Sequence, residues 1–294
     1  MNRTSSACIR LSVVLSILLA PALAGAQDKH CLWKVVSPVN TVYLLGSIHL
    51  MKPEHYPLDP ALDAAYAQSR HVVTEVDLDS LRLKEVLQTV TAAGMYTDGT
   101  SLPEHISSET YGMIRKTAEK LGFNPQVLHL FRPWLTSVTL VTLHLQTLGF
   151  SPDYGIDQYF YRKAKADNKG RSALETIGFQ TDLLASMPDT MQEDMLRQTM
   201  EDMDLIAQLF DDVYTAWKTG DGEGMDRLLS ESYAEYPEIY ERLFLARNRA
   251  WVPRIEQYLG KSEPCLIIVG AGHLIGEEGV VALLRARGYR VEQL

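Results

Sequence analysis

Two short segments of this chain carry the same potential chemistry. Thr41-Val42-Tyr43-Leu44-Leu45-Gly46-Ser47-Ile48-His49 and Leu266-Ile267-Ile268-Val269-Gly270-Ala271-Gly272-His273 each read as an apolar strand that ends in Gly-x-x-His. Glycine at a strand end allows tight curvature, and a histidine three residues on can point over the sheet edge, where α/β proteins commonly hold ligands. Neutral imidazole suits zinc, copper, iron or nickel, and manganese or cobalt when carboxylates join it. With 19 glycines and 8 histidines the motif is not rare by count. Its position directly after an apolar strand sets His49 and His273 apart from the other six. A carboxylate completes such a site, and Glu75 in Val72-Val73-Thr74-Glu75-Val76-Asp77 lies near the end of a third strand. It could ligate a metal or serve as general base on bound water. Asp77 is the weaker choice, being further into the loop.

These residues need a sheet to position them. Leu32–Val36 and 41–46 flank the turn-rich Ser37-Pro38-Val39-Asn40 and predict a hairpin. A helix is expected from Asp59 or Pro60 to Ser69, then the strand His71–Val76. The middle is largely helical. Ser107 or Ser108 caps a helix to about Leu121, Asn124-Pro125 opens a short one, and Leu135, Val138, Val141, Leu145 and Leu148 form a helical stripe. Gly170–Leu174 reads as a brief strand before Glu175. The apolar period from Pro188 to Lys218 predicts one long amphipathic helix whose methionine-rich face packs in the core, with the acidic Glu201-Asp202-Met203-Asp204 on its solvated face. A further helix over Glu238–Leu259, kinked at Pro253, precedes the strand Cys265–Val269, a helix from about Glu277 to Arg287, and the strand Tyr289–Gln293. Strands at both ends around a helical middle define an α/β (α+β) fold in which the N- and C-terminal strands share one central sheet. No linker or repeat divides residues 27–294, so a single domain is expected.

Residues 1–26 combine Arg3 and Arg10, an apolar run Leu11–Ala20, and small residues through Ala24 and Ala26. That order reads as a secretory signal peptide, placing the mature chain in the periplasm or outside the cell, with no transmembrane helix. The whole chain carries a formal charge of −9, and loss of the two arginines makes it more acidic. An acidic surface without basic clusters argues against nucleic acid as a partner. Cys31 and Cys265 each begin a strand-like run, and in an oxidising compartment they are expected to form a disulfide. No Gly-x-Ser-x-Gly elbow, Cys–His nucleophile motif or His-Glu-x-x-His helix is present. Oligomeric state is not legible.

The ordered set Leu44–His49, Val73–Asp77, Tyr154-Gly155-Ile156-Asp157, Leu174-Glu175-Thr176, Arg247-Asn248 and Val269–Leu274 resembles the TraB/PrgY/GumN family, to which the animal Tiki Wnt-cleaving proteases belong. The resemblance extends to the closing Gly288-Tyr289-Arg290-Val291. It implies a TraB/Tiki/erythromycin-esterase-like fold and a metal-dependent hydrolase acting on a peptide or protein. His49, His273 and Glu75 then hold a divalent ion of manganese, cobalt, zinc or iron, with Glu75 also a candidate base. Arg247 and Asn248 match the family's Arg-Asn pair and would bind a substrate carboxylate or stabilise an oxyanion. Asp157 and Glu175 would orient a histidine or contact substrate. The alternative is a non-catalytic periplasmic protein that binds a signalling peptide or haem in the same cleft.

Overall fold

The hairpin forms where its turn residues require it. In the computed structural model, which describes residues 29–79 and 83–294, Leu32–Val36 (β1) and Thr41–Ser47 (β2) pair antiparallel with Val36 opposite Thr41. Asn40 anchors this turn by donating to the carbonyls of Tyr258 and Glu263 at 2.9 and 2.8 Å. His71–Val76 (β3), Gly170–Glu175 (β4) and Cys265–Gly270 (β5) form a parallel set with β2, and Arg290–Gln293 (β6) closes the far edge antiparallel to β1. The resulting six-stranded order is β4-β3-β5-β2-β1-β6. Cys265–Val269 is buried at every position, the pattern of a central parallel strand covered on both faces. The signal peptide assigned to residues 1–26 lies outside the described residues.

The helices in chain order are Pro60–Gln68 (α1), Leu83–Gly94 (α2), Ser108–Lys120 (α3), Pro133–Thr147 (α4), Ile156–Ala166 (α5), Ile177–Ala185 (α6), Asp189–Glu201 (α7), Ile206–Lys218 (α8), Gly222–Ser232 (α9), Pro237–Tyr240 (α10), Ala246–Leu259 (α11) and Val280–Ala286 (α12). Asp59 and Ser107 cap α1 and α3 with their side-chain oxygens, as their residue types favour. One core packs the sheet against Phe160 of α5, Trp251 of α11 and Leu284 of α12. A second, largely helical core holds Leu102, Ile114, Leu140, Leu196, Met200 and Met203. The methionine-rich face therefore packs largely as core. Among the described residues no helix is long and apolar enough to cross a membrane.

Two expectations need correction. The segment Pro188–Lys218 is two helices, because Asp202–Asp204 turns into a 3-10 step between α7 and α8. Asp202 accepts from Gln198 at 2.9 Å and Asp204 from Lys120 at 2.5 Å, while Met203 turns into the core. Aspartates are poor helix formers whose side chains favour such breaks. Glu238–Leu259 is helical throughout, as expected, with a π turn over Glu241–Leu245 and Pro253 accommodated inside α11.

The expected disulfide is absent: Cys31 and Cys265 are both buried free thiols. The hairpin explains why. Because β1 runs opposite to β2, the N-terminal end of β1 lies against Gly46, at the C-terminal end of β2. Cys265 instead pairs with Val42, near the N-terminal end of β2. The two thiols sit several residues apart along the sheet, at about 3.3 Å per residue, beyond disulfide reach.

Candidate functional site

Four site residues leave the carboxyl ends of four parallel strands: His49 follows β2, Glu75 lies near the end of β3, Glu175 ends β4 and His273 follows β5. This is the edge at which open α/β sheets bind ligands. Asp157, from the first turn of α5, and Arg247 and Asn248, from α11, reach the same place. The structure thus brings together all seven residues singled out from the sequence for chemistry.

His49 is set by the start of α5. The Ile156 amide donates to Ile48 O at 3.1 Å, and a Cβ on Gly155 would lie 2.3 Å from His49 O, so only glycine fits there. Asp157 accepts from His49 Nδ1 at 3.1 Å and from Ser47 Oγ at 3.2 Å. With a carboxylate as its partner, Nδ1 carries the proton and Nε2 is left facing the cleft. Half of the His49 side chain is open, at 52 % exposure, although the ring sits in a concavity of the protein. Burial works against its charge, but Asp157 and Glu75 overcome this and raise it to about 9.

Glu75 is gripped on both oxygens. Oε1 accepts from the Gly270 amide at 2.6 Å, and Oε2 from Arg247 Nη2 at 2.7 Å and Gln180 Nε2 at 2.9 Å. Burial disfavours the carboxylate, but His273, His49, Arg247 and the Gly270 amide outweigh it and hold the carboxyl down at about 2. His273 is itself neutral: burial, with Arg247 and His49, lowers it to about 3. The cations that keep Glu75 ionised are therefore His49 and Arg247.

His273 is almost fully buried. Asn248 donates through Nδ2 to Glu278 O at 3.0 Å, which turns its Oδ1 towards His273 Nδ1 at 2.6 Å. Nε2 then accepts from Arg247 Nη1 at 3.0 Å. Phe244 and Trp251 flank the ring, with centroids at 4.9 and 4.4 Å. Arg247 uses all five of its N–H donors inside the protein. Nε and Nη2 bind Glu175, Nη2 also binds Glu75, and Nη1 binds His273 and the Leu243 carbonyl of the π turn. The expectation that Arg247 and Asn248 offer free donors to a substrate is corrected here: both are buried and hold the other site residues in place.

Gln180, Ser47 and Trp251 were not singled out from the sequence. Gln180 bridges Glu75 and Glu175, and the Trp251 indole donates to Glu175 Oε1 at 2.8 Å. Ser47 sits inside the first Gly-x-x-His motif, a signal that was available. Nothing local marks the other two.

The donor set can be tested against a divalent ion. A Cβ built on Gly270 would meet Glu75 Oε1 at 3.3 Å, the Cδ2 edge of His273 at 3.5 Å and His49 Nε2 at 3.7 Å. Glycine leaves a small cradle between the three expected ligands. With His49 neutral, the carboxylates of Asp157, Glu75 and Glu175 exceed Arg247 by two charges, which suits a dication. His273 differs, because Arg247 occupies its lone pair. Accordingly, among the described residues no three His, Cys, Asp or Glu side chains form a ready metal-binding group. The chemistry fits an ion held by His49 and Glu75, with His273 oriented behind them.

His49 lies at the junction of two cavities. One, of about 610 Å³, is walled by α7, α8, α9 and the π turn. The other, of about 360 Å³, holds Glu75, Gln180, Asp157 and Gln158.

A sheet with paired Gly-x-x-His ends, a strand-end glutamate and a helix-borne Arg-Asn pair defines a recognisable class of α/β protein. The TraB/PrgY/gumN family model matches residues 31–293, and the chain belongs to that family. It is 24 % identical over 266 residues to the uncharacterized protein YbaP of Escherichia coli K12, covering 89 % of this chain and 96 % of that one. The same figures hold for YbaP of Shigella flexneri. No solved structure matches.

Proposed function

We propose that this chain is an exported, periplasmic or secreted, metal-dependent hydrolase of peptide-like substrates, with its reacting centre at His49 and Glu75. One observation carries the reading. His49 Nε2 and Glu75 Oε1 face one cradle over Gly270, each fixed from behind, at the meeting of two cavities. His49 and Glu75 would hold the ion, whether manganese, cobalt, zinc or iron. When bound, such an ion lowers the pKa of its water and polarises a carbonyl. Glu75, held ionised by Arg247 and the Gly270 amide, would ligate the ion or serve as general base on its water. Asp157 fixes the His49 tautomer, while Arg247, Gln180 and the Gly270 amide fix Glu75.

The test is metal content and affinity of the protein lacking residues 1–26, followed by a peptide-library screen with the metal found. Stoichiometric binding that disappears in His49→Ala supports the reading. A folded wild type that binds no divalent ion and cleaves nothing sinks it. The other reading is a non-catalytic binder of a signalling peptide or haem, and the apolar cavity beside His49 suits the haem. A Soret change on haem addition, lost in His49→Ala, would favour haem.

A further inference from the structure

The two cavities that meet at His49 differ in chemistry. The smaller is lined by polar site residues. The larger is lined by Leu209, Phe210, Val213, Leu229, Tyr233 and Phe244, among others. Its volume of about 610 Å³ lies within the ~300–1,000 Å³ typical of small-molecule sites. No lysine or arginine lines it among the described residues, and its charged or titrating groups are His49 at the rim, Asp202 and two tyrosines.

Most of its few polar side chains are already paired. Gln198 donates to Asp202 at 2.9 Å and accepts from Tyr236 at 3.4 Å, and Thr199 donates to Met195 O at 2.7 Å. A stretch of peptide entering this space would bring backbone N–H and C=O groups with little to bond to, at a cost of several kcal/mol on the order of 2–7 each. A hydrocarbon chain brings none. The cavity also reaches the second motif: a Cβ on Gly272 would meet Phe244 at 3.1 Å and Leu229 at 3.2 Å, so the glycine lets these apolar walls close up beside His273. The π turn that delivers Phe244 is of a kind frequently found at functional sites.

We infer that the larger cavity is an acyl-chain subsite, so that the substrate is a long-chain acyl amide or ester whose carbonyl sits at His49 and whose polar portion lies in the smaller cavity. This deepens the hydrolase reading and rests on it for the placement of the carbonyl. The chain would lie along α8 and α9. Without a bound metal ion a free fatty acid is disfavoured, because its carboxylate would meet that of Glu75, and no lysine or arginine lines either cavity among the described residues.

The experiment measures binding, so that it does not depend on turnover. N-acylglycine amides from acetyl to decanoyl are titrated into the metal-free protein lacking residues 1–26 by calorimetry, with decanoate as a second arm. Affinity should rise about fourfold per methylene until the cavity fills. Decanoate should bind at least tenfold more weakly than the decanoyl amide. Val213→Trp and Leu228→Trp fill the cavity from two different helices, and either one, if its melting curve matches wild type, should flatten the chain-length dependence. Affinity independent of chain length, unchanged dependence in both folded variants, or decanoate binding as tightly as the amide overturns the inference. Chain-dependent binding without hydrolysis leaves the subsite standing and counts against the hydrolase reading alone.

Discussion

Arg247 donates to His273 Nε2 at 3.0 Å and so occupies the lone pair that a metal ligand would need. The same guanidinium ties Glu75 on β3 to Glu175 on β4. The second Gly-x-x-His motif is therefore joined to the glutamates of β3 and β4 through a buried arginine, with His273 orienting the guanidinium that orients Glu75. Phe244, Trp251 and Asn248 fix His273 in turn.

Removing the arginine leaves two buried carboxylates beside one another. Breaking a buried ion pair by deleting one partner costs about 3–5 kcal/mol, and Arg247→Met should lower unfolding free energy by that much in denaturant titrations. Adding Glu175→Gln to Arg247→Met should recover part of the loss. A change under about 1 kcal/mol in the single variant would mean that the network contributes little to stability, as is common for exposed pairs.

The two histidines should separate in metal binding. His49→Ala removes the imidazole whose Nε2 faces the cradle and would ligate the ion on losing its proton, and affinity should fall below detection. His273→Asn removes a ring already committed to Arg247 and Asn248, and affinity should fall by the 10–100-fold typical of supporting residues. Equal and complete loss in both would show that Arg247 swings away and that His273 ligates after all.

How much of this was legible follows physical range. Strand-end motifs, caps and the hairpin are local, and Leu32–Val36, His71–Val76 and the α3 cap stand where the sequence places them. The convergence of Asp157, Glu175, Arg247 and Asn248 was reached through resemblance, since no local pattern joins residues so distant in the chain. What failed depended on direction or long-range partners. The cysteines each begin a strand, and the hairpin turns β1 against β2, but nothing in the Cys265 strand says that it runs parallel to β2 and so starts at the opposite end from Cys31. The break at Asp202–Asp204 is drawn by Lys120 and Gln198, and the π turn, whose Arg242 donates to Leu183 O at 2.5 Å, carries a contact from outside the helix. Apolar periodicity alone runs straight through both.

The thiols provide a direct check on strand direction. Denatured, unreduced protein lacking residues 1–26 should titrate two free thiols, and reducing agent should leave the melting temperature unchanged. In the native state both should react slowly, since each is buried and burial pushes the Cys265 thiol up to about 12. Absence of free thiols after denaturation would restore the disulfide and contradict the register of β1 against β2.

Gly46, the first motif's glycine, is required by packing. A Cβ there would lie 2.3 Å from Cys31 Sγ and 3.0 Å from Ala271 Cβ. Gly46→Ala should destabilise by the ~1–3 kcal/mol of an overpacked core, measured by chemical unfolding. Cys31→Ala removes the closest atom, so the double variant should be more stable than the sum of the single changes predicts. Strict additivity would show that the clash is relieved elsewhere.

Gly270 tests the cradle itself. Its backbone, at φ −49° and ψ 134°, is open to any L residue, so glycine is not needed there for conformation. The nearest atoms to a new Cβ, at 3.3 to 3.7 Å, are at moderately close to ordinary contact, so alanine can be seated with a small shift of Glu75. Gly270→Ala should therefore fold, with stability within about 1 kcal/mol of wild type, since small shifts of this kind fall among the mildest substitutions. The methyl group nevertheless stands between His49 Nε2 and Glu75 Oε1, where the ion would be held. Divalent-metal affinity should drop more than tenfold, together with any metal-dependent turnover. A well-folded Gly270→Ala protein that binds metal as wild type does would place the ion elsewhere and remove the geometric basis for assigning it to His49 and Glu75.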